Sequence, residues 1–61
     1  MQLTPKEQAQ TREIASALAF GWNLIAQTGI IPGMRQYQEV SLADTFERVL
    51  LQVAERLPED R

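Results

Sequence analysis

Sixty-one residues allow a single domain, spanning residues 1–61, and no more. The chain has no cysteine and no histidine, which excludes disulfides, thiolate metal sites and the commonest remaining zinc and iron ligand. Its net charge is −2, and the six basic residues (Lys6, Arg12, Arg35, Arg48, Arg56 and Arg61) are scattered rather than gathered into the stripe that phosphate binding needs.

The first element begins at Leu3-Thr4-Pro5-Lys6-Glu7. Thr4 suits an N-cap, Pro5 suits the first helical position, and Glu7 completes a capping box at the positive end of the helix dipole. The pattern predicts a helix from about Pro5 to Thr28, closed by Gly29 as the left-handed C-terminal residue, with Ile30 folded back onto Ile25 in a Schellman ending. Its first half, Lys6 to Glu13, is polar apart from Ala9. From Ile14 onward the apolar face is wide. Ile14, Ala17, Leu18, Gly21, Leu24 and Ile25 form the main stripe, Ala15 and Trp22 extend it on one side, and Phe20 extends it on the other. Gly21 costs about 1 kcal/mol in a helix relative to alanine. With Ala17 four residues earlier, it is read as a place of close helix packing. A mild kink is the plainer alternative.

A charge-free run of 21 residues separates Glu13 from Arg35. That is long enough to cross a bilayer, yet Ser16, Asn23, Gln27 and Thr28 interrupt it and Gly29 and Pro32 break it near one end. A buried helix is expected rather than a membrane span. Because Met1 to Glu13 is polar, no secretory leader is expected either, and the lack of cysteine fits a reducing, cytoplasmic location.

Residues 29–41 form a connector longer than helix bundles ordinarily use. Ile31-Pro32-Gly33-Met34 carries the Pro and Gly of a type II turn. Met34, Tyr37 and Val40 then follow at a spacing of three, as a short helical turn or an irregular strip with one apolar edge. Ile30, Ile31, Met34, Tyr37 and Val40 are expected to cap the end of a bundle. The functional alternative makes Arg35 and Tyr37 anchors of a contact site.

The second helix is expected over about residues 42–57, with Ser41 as N-cap and Pro58 ending it. Leu42, Phe46, Val49, Leu50, Val53 and Leu57 give the cleanest helical periodicity in the chain, bordered by Ala43 and Ala54. Asp44 and Arg48 are placed to pair across one turn. Leu51 breaks the pattern, among Asp44, Glu47, Arg48 and Glu55, as a lone exposed leucine or part of a second contact surface. Glu59, Asp60 and Arg61 are expected to fray.

Ile31-Pro32-Gly33-Met34-Arg35, followed by Glu39 and Leu42-Ala43-Asp44, resembles the opening of a GntR-type winged helix-turn-helix over about a quarter of the chain. That family then needs a turn and an arginine-bearing recognition helix. Here Phe46 to Leu51 continues one helix, so no membership is assigned.

Catalysis would fall to carboxylates, one tyrosine or one lysine. Among Glu7, Glu13, Glu39, Asp44, Glu47, Glu55, Glu59 and Asp60, no pair sits at a buried-looking helical position. Glycines 21, 29 and 33 do not form a phosphate loop. The expectation is an all-α helical hairpin whose copies pair into a homodimeric four-helix bundle. Its core would hold Ile14, Leu18, Leu24, Ile25, Phe46, Val49, Leu50, Val53 and Leu57, and the polar first turns of the long helix would lie beyond the end of the shorter one. The expected role is that of a non-enzymatic adaptor, regulator or accessory subunit with no cofactor, binding itself and another protein. Phe20, Trp22, Ile31, Met34, Arg35, Tyr37 and Leu51 are the candidate contact residues, and Ala17 and Gly21 the close-packing pair. The competing readings are a dimeric DNA-binding regulator and a small membrane-associated subunit.

Overall fold

The computed structural model describes residues 2–58, so the expected fraying of Glu59, Asp60 and Arg61 lies outside the described residues. Two helices, α1 (Pro5–Thr28) and α2 (Glu39–Arg56), form an antiparallel hairpin. The fold is all-α, and no strand occurs among the described residues.

The N-terminus of α1 forms as the sequence dictates. Thr4 Oγ1 accepts from the Glu7 amide at 3.1 Å, and the Thr4 amide donates to Glu7 Oε1 at 2.9 Å, so both halves of the capping box are present. Gly29 ends the helix at φ 74°. The Ile30 amide, however, donates to Thr28 Oγ1 at 3.2 Å, and Ile30 stays 76% exposed. The threonine hydroxyl thus takes the amide that a Schellman ending would turn back to the helix, and Ile30 is left in solvent.

The α2 boundary differs by three residues. The helix starts at Glu39 with Gln38 as N-cap, and Ser41 lies inside the first turn, donating from its hydroxyl to Gln38 Oε1 at 3.2 Å. The far end follows the expectation: Leu57 is extended, at φ −75° and ψ 141°, as a residue before proline must be. The helix is unbroken over 18 residues, so it contains no helix-turn-helix.

The seam between the helices is made of small residues. Ala15 and Ala19 of α1 are 0% exposed, and Ala43 and Ala54 of α2 are 2% and 8% exposed. Among the described residues these four are the buried hydrophobic ones, and no large side chain is fully buried. Alanines that border the apolar stripes in the sequence are therefore the contact between the helices. Ile14, Leu18, Leu24, Ile25, Val49, Val53 and Leu57, expected in a core, are exposed on the single hairpin, while Phe46 and Leu50 are half-buried.

The register also differs from expectation. Arg12 bridges to Asp44 and Glu47, and Leu3 and Gln8 lie by Leu51 and Ala54. So α2 packs beside the polar first turns of α1, and it is the C-terminal turns of α1 that extend past the start of α2. The cause is the connector, which doubles back along α1 before α2 begins. Leu51, flanking the alanine seam, is half-buried against the first turns of α1 rather than exposed on an outer face. Asp44 is taken by Arg12, not by Arg48.

The molecule measures 43 × 19 × 14 Å. Its radius of gyration is 13.7 Å, against about 10.5 Å for a compact domain of this length. One layer of helices accounts for both values. Because Ala19 sits fully inside the seam, Ala19→Leu should force the helices apart at a cost of about 1–3 kcal/mol. Ala17→Leu, on an exposed position, should cost nothing; urea midpoints of the two variants provide the check.

Candidate interaction surface

The two sides of the hairpin differ in character. On one side Arg12 Nη1 donates to Asp44 Oδ1 at 2.5 Å and to Glu47 Oε1 at 2.9 Å. Asp44 first and Glu47 second raise the pKa of the guanidinium above its ordinary value. Asp44, Glu47, Arg48 and Leu51 line a shallow polar groove on this side. On the other side the Trp22 ring meets Phe46 edge-on, with centroids 6.2 Å apart. Advancing 100° per residue from these landmarks puts Ile14, Leu18, Gly21 and Ile25 on the Trp22 side of α1. The same count puts Val49 and Val53 on the Phe46 side of α2. The outward stripes of both helices thus share one side, and the ion pairs occupy the other. Phe20 and Leu24 lie on the flank of α1 turned away from α2, 58% and 52% exposed.

The connector is held by its backbone. Gly33, at φ 84°, closes the turn whose Met34 amide donates to the Ile31 carbonyl at 3.3 Å, as the Pro-Gly pair predicts. The Trp22 indole N–H donates to the Arg35 carbonyl at 2.7 Å. Asn23 grips Tyr37 twice: its Oδ1 accepts from the Tyr37 amide at 2.9 Å and its Nδ2 donates to the Tyr37 carbonyl at 2.7 Å. The side chain of Asn23 therefore does for the connector what a neighbouring strand does for a β-strand. Residues 34–38 are irregular and not helical.

The candidate contact residues separate into two groups. Trp22 is half-buried and serves as an internal clasp, touching Phe46, Tyr37 (centroids 6.5 Å apart) and the Arg35 carbonyl. Met34 and Leu51 are half-buried too. Phe20, Ile31, Arg35 and Tyr37 are exposed. Of the close-packing pair, Ala17 is exposed, and a Cβ built on Gly21 meets nothing within 4 Å. Nothing inside the hairpin requires glycine there. Trp22, Tyr37 and Leu42, with the hydroxyl-bearing Ser41 and Thr45, line a recess of about 350 Å³ at the joint end.

Asn23 and Arg12 carry functions that their sequence positions hid. Asn23 stands out only as an amide in an apolar run, and Arg12 only as a charge in a polar one. Among the described residues no three carboxylates converge on a metal-sized space, and no helix is long and apolar enough to cross a membrane.

A scan against protein-family models finds no match, and comparisons with curated proteins and with solved structures find none either. The functional reading rests on the chain's own geometry.

Asn23→Ala removes both bonds to Tyr37 and should lower stability by about 1–3 kcal/mol. Trp22→Phe keeps the ring contacts and loses one bond, so it should cost less. Denaturant titration ranks the two.

Proposed function

We propose that this chain is a small, non-enzymatic interaction module that acts through helical surfaces and works as a homo-oligomer, two hairpins pairing into a four-helix bundle. One observation carries the reading. Among the described residues only four alanines are buried inside the hairpin, while Ile14, Leu18, Ile25, Val49 and Val53 stand exposed on a single side. Scattered surface leucines are ordinary, but a shared apolar side on a one-layer molecule marks a contact surface. Cyclic dimers are the commonest way for a soluble chain to cover such a side.

The joint end offers a separate surface for a different protein. Ile31, Arg35 and Tyr37 project there from a connector whose backbone is fixed by Trp22 and Asn23. Aromatic and arginine side chains presented on a fixed backbone lose little freedom on binding.

Sedimentation of the chain at micromolar concentration should give a dimer or larger species, and a folded monomer would remove the proposal. Gly21→Leu is expected to weaken association severalfold, read by sedimentation over a concentration series. Tyr37→Ala should reduce capture of the second protein at an unchanged melting temperature; a large fall in melting temperature would instead assign Tyr37 to the cap of the bundle.

A further inference from the structure

We propose that the apolar side of the hairpin is closed by a second copy of this chain, and that the hairpin folds only as part of that pair. This rests on the self-associating module proposed above and adds an obligatory link between pairing and folding.

The surface gives the size of what must be covered. The chain exposes 4913 Å². A compact monomer of 6.9 kDa exposes about 4,000 Å². A compact particle of two such chains exposes about 6,600 Å², so pairing would bury about 3,200 Å² in all, within the roughly 2,000–5,000 Å² of obligate interfaces. A second copy supplies that area in matching form, since a layer 14 Å thick placed against an identical layer reaches the two-layer depth of a stable helical domain. The charges favour a copy over a lipid surface. Arg12 on the polar side is paired with two carboxylates, and the chain is acidic overall, so the hairpin lacks the lysine- and arginine-rich polar face of membrane-surface helices.

The link to folding follows from what a single copy buries. Ordering a backbone and its side chains is costly for every residue fixed, and apolar burial is the main offset. Among the described residues one hairpin buries four alanines and no large side chain completely. The residues able to offset the ordering cost, Leu18, Ile25, Val49 and Val53 among them, remain outside until another layer arrives. Chains of this kind have no folded monomer, and their stability depends on concentration.

A dilution series of the full chain, followed in parallel by circular dichroism and sedimentation, tests this. Helix signal and dimer mass should disappear together, and the melting temperature should fall with dilution. Dimers that separate into helical monomers would overturn the link to folding and leave self-association standing. A helical monomer at every concentration would overturn both. Helix appearing only with phosphatidylcholine vesicles, at monomeric mass, would overturn the pair in favour of a lipid surface. The double variant Leu18→Gln, Val53→Gln replaces apolar side chains with polar ones of similar size, and only on the outward side. It should be unfolded where the unmodified chain is helical, whereas Ile30→Gln, in the joint, should behave as the unmodified chain. A double variant that stays helical as a monomer would also overturn the link.

Discussion

Ala15, Ala19, Ala43 and Ala54 set the distance between the two helices, and the other features of the hairpin follow from that distance. Small side chains let two backbones come close, and close backbones leave no room between them for leucine or valine. Ile14, Leu18, Ile25, Val49 and Val53 emerge on one side of the layer. In a larger protein such a seam would be one of several; here it holds all the buried side chains among the described residues.

The side on which those residues emerge is fixed by polar groups. Arg12 reaches across the seam to two carboxylates on successive turns of α2, Asp44 and Glu47. An exposed ion pair adds little stability. Its geometric effect is larger, because sliding α2 by one turn would separate the charges and bring different residues to the seam. Trp22 and Asn23 act from the other end, tying the connector to α1 so that α2 starts well below the last turn of α1. Together they explain how a chain with wide apolar stripes adopts one register.

Much of this was readable in the sequence, and the limits are physical. Thr4, Pro5, Glu7, Gly29, Pro32, Gly33 and Pro58 act through the local backbone, and each sits where local rules put it. The bounds of α1 and the turn at Gly33 came out as expected for that reason, whereas the Schellman closure did not, because Thr28 takes the Ile30 amide. The start of α2 did not, because Gln38 and Ser41 bond to each other and the helix begins ahead of the serine that looked like its cap. The periodicity of Leu42, Phe46, Val49 and Val53 correctly announced a helix with an apolar face. It could not say whether that face met α1 or something else. Alanine contributes too little hydrophobicity to mark a seam, so Ala43 and Ala54 looked like borders and Leu51 looked stranded. The contact residues proposed from the sequence met a similar limit: exposure is a tertiary property, and Trp22, with a carbonyl within reach of its indole, turned inward while Tyr37 did not.

The grip of Asn23 on Tyr37 uses only the amide and carbonyl of the tyrosine. Any amino acid except proline offers the same two groups. The side chains displayed at this end of the molecule can therefore drift through evolution, or be exchanged by design, without disturbing the clamp beneath them. A scaffold that separates what it displays from what holds it together can change its recognition while keeping its shape.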